Sequence, residues 1–254
     1  MSWAARRRFY ILGGLLVVIA ALIALALIAA FYKVPSCTDT IQNQGEVGID
    51  CGGPCPYLCS AQVQAPVVQF ARALSPQEGR TDVIAYVENQ NTDAVVRDAK
   101  YRIDLYGTDN VIVATAVGTV DLPPHTTVPV FMPNFFSGNQ QVAHAFLTFD
   151  TASLKWQTYN EARTLPKTAS ADLVGASSTP RIVAVINNAD VNPVFNLKAI
   201  AVVFDASGNA IGASQTILPQ VTQQGSATAI FTWNNPFPED VARIEVTPIV
   251  PLPR

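Results

Sequence analysis

The sequence predicts an all-β protein in which two copies of one small β-sandwich follow a single N-terminal transmembrane helix. Three observations lead to this architecture: an uncharged apolar run near the start, a cysteine cluster behind it, and an internal repeat over the rest of the chain. The 254 residues suffice for an anchor and two domains of roughly 90–100 residues each. The expected segments are a cytoplasmic tail (1–9), the transmembrane helix (10–32), a disulfide-stapled Cys-rich segment (33–62), the first sandwich (63–160), and the second sandwich with a Pro-rich tail (161–254).

The apolar run covers residues 9–32 and contains no charged side chain. At 1.5 Å per residue such a helix spans about 36 Å, which exceeds a hydrocarbon core of about 30 Å. Three arginines at positions 6–8 precede the run and only Lys33 follows it. The positive-inside rule therefore predicts a single-pass protein of the cell membrane with its N-terminus in the cytoplasm and its C-terminal domains outside. A cleaved signal peptide is the alternative, but its apolar region is usually only about 7–15 residues long.

The charge balance limits the classes of partner. The charged fraction is 14%, low against about 25% in typical soluble domains. After residue 33 the chain carries 12 basic and 19 acidic residues, a net charge of about −7. A nucleic-acid partner is not expected, because such binding requires a basic surface.

All four cysteines, Cys37, Cys51, Cys55 and Cys59, lie within 23 residues. Outside the cytosol such a cluster most often forms two disulfides, and sequence alone leaves three pairings open. Zinc held by four thiolates is the competing interpretation, although the spacing is not that of a zinc ribbon.

The loop between the cysteines is rich in side-chain oxygens, from Asp39, Asn43, Glu46 and Asp50. Calcium takes six or more oxygen ligands, so these four residues form a candidate calcium site. The alternative is that they are solvated turn residues that hydrogen-bond the local backbone. No other cofactor is expected.

The same segment resembles a short extracellular motif common in bacterial surface proteins, Cys-x-Asp-x-x-x-Asn-x-x-Glu-x-x-x-Asp-Cys-Gly-Gly-x-Cys. Thr40 replaces the glycine that usually follows the first aspartate. The resemblance implies an extracellular module of a bacterial protein. The matching residues are Cys37, Asp39, Asn43, Glu46, Asp50, Cys51, Gly52, Gly53 and Cys55.

The repeat emerges when the sequence is shifted by 99 positions, which places residues 84–89 on 183–188. Without a gap, the same shift places Ile103 and Leu105 on Val202 and Phe204, and residues 110–114 on 209–213. A duplication of this length indicates two copies of one small domain.

Within each copy the apolar residues alternate with a period of two. Val83, Ala85 and Val87 point one way, while Ile84 and Tyr86 point the other way. Such alternation predicts half-buried strands, and turn signals recur every 8–12 residues, as expected of a β-sandwich.

Each copy resembles the FxLYD family of immunoglobulin-like domains. The resemblance rests on a strand that ends in an aromatic residue and Asp before a Gly-containing turn, here residues 202–212, and on an Asn that ends an earlier strand. In the first copy, residues 103–113, the Asp is replaced. The resemblance implies two tandem immunoglobulin-like β-sandwiches outside the cell, of a type usually without enzymatic activity.

No constellation for catalysis is recognisable, so we expect no catalytic residues and no enzyme. His125 follows two prolines in a turn, and His144 lies on a strand where the second copy has Arg243. Two separated histidines without carboxylate partners do not suggest a metal centre. No nucleophile elbow, phosphate-binding loop or zinc-protease motif occurs.

Aromatic residues cluster before the last strand of each copy. Phe135 and Phe136 lie there in the first copy, and Trp233 and Phe237 in the second. They are candidate partner-binding residues on an exposed loop patch. The alternative is that they fill the core at one end of each sandwich.

These observations predict a membrane-anchored, extracytoplasmic interaction or structural protein of the bacterial envelope. Its membrane contact would be residues 10–32, and its two immunoglobulin-like domains would dock an envelope protein. The alternatives are a calcium- or carbohydrate-binding surface adhesin, or an accessory subunit of a membrane complex.

Overall fold

The computed structural model describes residues 3–31, 36–138, 140–160 and 164–253. Two predicted boundaries lie outside the described residues: 32–35, where the predicted span ends and the Cys-rich segment begins, and 161–163, where the second sandwich was expected to begin. The chain divides into two compact units, residues 1–55 and 56–254.

The first unit contains one long helix, α1 (Trp3–Phe31), followed by the cysteine-rich loop. The helix begins seven residues before the predicted span and includes the three arginines. Alanine and arginine, which precede the apolar run, are both strong helix formers and extend the helix toward the N-terminus. From Arg6 to Phe31 it is long and apolar enough to cross a membrane, and none of its most apolar stretch is buried in the protein.

The second unit is built of strands, which confirms the prediction of an all-β fold behind one helix. The described residues contain only two single-turn 3₁₀ helices besides α1, at Ser60–Gln62 and Thr151–Ser153. The strands are β1 (Val67–Gln77), β2 (Arg80–Asn89), β3 (Ala94–Gly107), β4 (Ile112–Leu122), β5 (Thr126–Ser137), β6 (Val142–Phe149), β7 (Trp156–Thr158), β8 (Lys167–Val174), β9 (Arg181–Asn187), β10 (Val194–Phe204), β11 (Ala210–Val221), β12 (Ser226–Thr232) and β13 (Arg243–Ile249).

Strands β1 to β7 form the first sandwich. One sheet has the order β1-β2-β5, and the other has the order β4-β3-β6 with β7 also paired to β3. All pairs are antiparallel. The inward side chains of the two sheets share one core, which includes Val83, Ala85, Val87, Ile103, Leu105, Leu122, Val130, Leu147 and Trp156.

Strands β8 to β13 form the second sandwich, with sheets β12-β9-β8 and β11-β10-β13. This arrangement repeats that of the first copy, since β8 to β13 correspond in order to β1 to β6. The core includes Ile182, Ala184, Ile186, Leu197, Ala199, Ala201, Val203, Leu218, Phe231 and Trp233.

A buried asparagine ends the second strand of the first copy and recurs in the second. The Asn89 amide donates hydrogen bonds to the carbonyls of Ala94 (2.8 Å), Leu122 (3.2 Å) and Pro123 (2.8 Å). Asn188 likewise donates to Asn192 (2.8 Å) and Thr222 (3.1 Å). Each asparagine thereby satisfies turn carbonyls that would otherwise be buried without a partner.

The two sandwiches pack face to face through a third apolar cluster. Sheet β1-β2-β5 contributes Phe70, Leu74, Ile84, Tyr86 and Phe131, and sheet β11-β10-β13 contributes Ile200, Val202, Phe204, Ala210, Ala213 and Ile249. The second unit is therefore a stack of four sheets. We call this contact the junction.

The junction overturns one sequence-based expectation. The alternation in residues 83–87 predicted a half-buried strand, but β2 is almost wholly buried on both faces, as is β10 over residues 199–204. The reason is that their second face meets the other sandwich. Continuous apolar runs, here 83–87 and 199–204, are the sequence pattern of a strand covered on both sides.

The gapless alignment of the two copies is wrong from β3 through most of β4. Ile103 and Leu105 face the first core, whereas Val202 and Phe204 face the junction. Tyr106 pairs with Ile112 in the first copy, and Phe204 pairs with Ala210 in the second. Equivalent residues of the two copies are therefore 98 positions apart in this region. The second copy has one residue fewer after its buried asparagine. The Asn89 amide bonds the carbonyl of Ala94, five residues further along the chain, whereas the Asn188 amide bonds that of Asn192, four residues further.

The C-terminal tail returns to the first sandwich. Pro248 lies in β13, where it is tolerated because β13 is an edge strand. Beyond β13, the backbone N–H of Leu252 donates to Asp121 (3.0 Å) and Arg97 donates to the carbonyl of Pro253 (2.7 Å). The predicted extended tail is thus tied to the other sandwich, and the Leu252 side chain is buried.

Candidate functional site

The cysteine-rich loop is held by disulfides, as predicted. Cys37 and Cys55 are bonded, with their Cα atoms 5.6 Å apart, which selects one of the pairs that the sequence left open. Cys51 and Cys59 are also disulfide-bonded, and the described residues include no free cysteine. Oxidised sulfurs are not thiolate ligands, so this geometry does not favour the zinc interpretation.

The carboxylates of this loop bind backbone amides. Asp39 accepts hydrogen bonds from the N–H of Ile41 (2.9 Å) and from the Asn43 amide (2.8 Å). Asp50 accepts from the N–H of Thr40 (3.0 Å). Thr40 and Asp50 have left-handed backbone conformations, with φ of 63° and 56°. These contacts stabilise turns that side-chain-bearing residues adopt reluctantly.

Glu46 is buried and accepts from the N–H groups of Asn43 and Asp50, each at 3.3 Å. The carboxylate oxygens of Asp39, Glu46 and Asp50 do not all lie within 4.8 Å of one another. Among the described residues, the one group of possible metal ligands that is this compact consists of Cys37, Glu46 and Cys55, and its two sulfurs form the disulfide. The three carboxylates that were candidate calcium ligands therefore stabilise turns by accepting hydrogen bonds from the backbone. Calcium binding by this loop stays a prediction, which a calcium titration of the melting temperature tests.

The four aromatic candidates line the ends of the two cores. Phe135 and Phe136 are half-buried against the first core, Trp233 is buried in the second, and Phe237 packs against it. The rings of Trp233 and Phe237 form an edge-to-face pair with centroids 5.1 Å apart. Core packing accounts for these side chains, and their contact with a partner stays a prediction.

The outer sheet of the first sandwich carries an exposed apolar surface that the sequence analysis did not single out. We call it the outer patch, and its residues are Tyr106, Ile112, Val117 and Phe146. Val117 is 73% exposed, Phe146 56% and Ile112 47%. The rings of Tyr106 and Phe146 form an edge-to-face pair at 5.5 Å.

An ion pair runs through the middle of the outer patch. Arg102 binds Asp104 with distances of 2.7 Å and 2.9 Å, and the Thr115 hydroxyl donates to Asp104 at 2.6 Å. Burial raises the pKa of the Asp104 carboxyl, but the bonds from Thr115 and Arg102 and the Arg102 charge outweigh it, so this pKa lies below its usual value. The patch therefore combines exposed apolar side chains with a fixed, charged centre.

The sequence did contain a signal for this surface. Phe146 stands between the inward-facing Ala145 and Leu147, so alternation places its ring on the solvent side. The same phase puts His144 beside it, exposed as expected. A large aromatic residue in the outward phase of a strand is the observation that could have identified the patch.

The junction contains a polar network beside its apolar cluster. The Tyr86 hydroxyl donates to Glu245 (2.7 Å), and the Arg243 guanidinium lies 4.0 Å from the centroid of the Phe204 ring. Burial raises the pKa of Tyr86 to about 12, and the charge of Arg243 lowers it in part. At the rim, Arg72 donates to the Asn209 amide oxygen (2.9 Å). These contacts fix the register of one sandwich on the other.

A cleft of about 350 Å³ opens at one end of the junction. Its walls are mainly apolar and include Val128, Phe131, Ile200 and Ile249, with Lys198 beside them. The described residues that line it include no histidine, cysteine or serine.

No protein-family model matches this chain, and no curated protein matches it. The resemblances to FxLYD domains and to the bacterial Cys-rich motif therefore rest on the residues quoted for them above.

Proposed function

We propose that this chain is a membrane-anchored, extracytoplasmic interaction protein of the bacterial envelope, which presents two immunoglobulin-like domains for docking of an envelope protein. The apolar helix is its anchor, with the N-terminus in the cytoplasm. The arginines before the helix and the disulfides after it support this orientation, because disulfides persist in oxidising compartments outside the cytosol.

The outer patch carries the docking proposal. Covering apolar surface contributes about 25 cal/mol per Å², so a partner that buries Val117, Phe146 and Ile112 gains affinity there. The Arg102–Asp104 pair supplies a charged feature that a partner can match, which favours specificity over raw affinity. Aromatic residues and arginine, which the patch contains at Tyr106, Phe146 and Arg102, are enriched in protein–protein contacts.

The test is site-specific crosslinking in intact cells of the source organism. A photoreactive amino acid replaces Val117 in the full-length chain, and a matched probe replaces Ile217, which is equally aliphatic, 63% exposed and lies on the corresponding strand β11. We expect one defined crosslinked protein from position 117 and none from position 217. Phe146→Lys should abolish the product at 117. Identical products from both positions, or none from either, would exclude the outer patch as the docking surface.

A further inference from the structure

We propose that the cysteine-rich loop rests on the bilayer that holds the helix, with Ile41, Val47 and Ile49 in the interfacial layer. The inference relies on the proposed membrane insertion of the helix. It adds a second membrane contact, made by residues outside the helix.

Chain length keeps the loop near the membrane surface. Helix α1 ends at Phe31, and Cys37 is already bonded in the disulfide to Cys55. The five steps from Phe31 to Ser36 reach at most about 18 Å. The headgroup region on each side of a bilayer is about 5–8 Å thick. A loop tied this closely has a high effective concentration at the interface, so even weak contacts are populated.

The loop exposes aliphatic side chains that it could bury. Ile41, Val47 and Ile49 are 48%, 55% and 62% exposed, within a segment of only 20 residues. Internal contacts place them in one region: Thr40 is bonded to Asp50, and the Gln42 amide donates to the carbonyl of Val47 (3.0 Å). Residues 40–42 therefore run beside 47–50 and present these three side chains from adjacent segments.

The charges of the loop are hydrogen-bonded within the loop. Its three carboxylates bind backbone N–H groups of the loop itself, so fewer of their oxygens need water. Residues 36–55 contain no lysine or arginine. A net-acidic loop gains nothing from anionic lipid, so the interaction expected is with the interfacial layer through apolar contact, and it should persist in zwitterionic phosphatidylcholine.

The experiment uses the full-length chain in phosphatidylcholine vesicles, with an environment-sensitive fluorescent amino acid at Ile41, Val47 or Ile49. Reference probes occupy Leu22 in mid-helix and Ile217 in the second sandwich. Quenching by lipids spin-labelled near the headgroup, by lipids spin-labelled near the end of the acyl chain and by aqueous iodide is compared, since the mid-helix probe is reached only by the acyl-chain label. Non-reduced mass spectrometry verifies that each variant keeps its disulfides. We expect lipid quenching at 41, 47 and 49 that is at least several-fold stronger than at 217.

The reference probes separate the two ways of failing. If Leu22 is lipid-quenched but the loop probes are not, the loop does not touch the bilayer and the anchor stands. If Leu22 is not quenched, the membrane insertion itself is wrong. Loop probes shielded from iodide without lipid quenching would show that protein covers the loop, which also overturns the inference.

Discussion

At the residue scale, the buried asparagines hold the repeat unit together. Asn89 is fully buried, and its side chain bonds three backbone carbonyls and accepts from the N–H of Asn91 (3.0 Å). We expect Asn89→Ala to lower the free energy of unfolding by about 2–3 kcal/mol, because buried carbonyls lose their donor. Urea denaturation measures this, with the exposed neighbour change Gln90→Ala as control. Equal effects of both substitutions would remove the special role of Asn89.

Tyr86 gives a spectroscopic prediction at the same scale. Its pKa of about 12 means that the folded state keeps the phenol neutral after unfolded phenols ionise near pH 10. The group therefore favours folding fully below about pH 10, and that contribution is lost as the pH rises toward 12. In a phenolate absorbance titration of the native protein, Tyr86→Phe should remove a tyrosine that ionises near pH 12. An unchanged titration curve would contradict the burial argument.

At the element scale, strands β3 and β10 show how one sheet position serves two environments. The outward residues of β10, Ile200 and Val202, are covered by the first sandwich. At the equivalent places of β3 stand Arg102, which is exposed, and Asp104, which is buried in its bonds with Arg102 and Thr115. We expect Val202→Asp to lower the free energy of unfolding by about 3–5 kcal/mol, because it buries an unpaired carboxylate in the junction. Thermal unfolding should then separate into two transitions.

The matched control is the reciprocal change in the other copy. Asp104→Val should destabilise the protein less than Val202→Asp does, because it leaves no buried carboxylate and the exposed Arg102 side chain can be rehydrated. It should also increase self-association in sedimentation experiments, since it removes the ion pair from the middle of the exposed apolar patch. If the two substitutions destabilise equally, burial at the junction is not what distinguishes the two strands.

At the scale of the whole molecule, the two compact units predict independent behaviour on loss of a disulfide. The Cys37–Cys55 bond spans 18 residues, so its removal should cost the loop about 3 kcal/mol. Neither residue belongs to a sandwich core. We expect Cys37→Ser with Cys55→Ser to leave the main melting transition, followed by the fluorescence of Trp156 and Trp233, within about 1 °C of the parent protein. A large decrease would show that the loop supports the sandwiches.

Sequence reasoning reached the architecture because period-two alternation and cysteine clustering are local signals. It correctly placed Val83, Ala85 and Val87 on one face and expected oxidised cysteines. It missed the junction. Residues 83–87 form the continuous apolar run typical of a strand covered on both faces, but the run does not tell which surface covers Ile84 and Tyr86. It also missed the one-residue offset between β3 and β10. A turn that is shorter by one residue moves every side chain of the following strand to the opposite face. The outer patch was not predicted, because the sequence does not show which sheet face remains exposed.

The junction joins different faces of the two copies: sheet β1-β2-β5 of the first meets sheet β11-β10-β13 of the second. The two copies are therefore not interchangeable parts. A chain with their order reversed would have to bring the second copy's Val183 and Ile230 against Arg102 and Asp104, and would leave Ile200, Val202 and Phe204 in water. After the duplication the outward side chains of the two copies diverged. The order of the two domains along the chain is therefore determined by which side chains each sheet face carries.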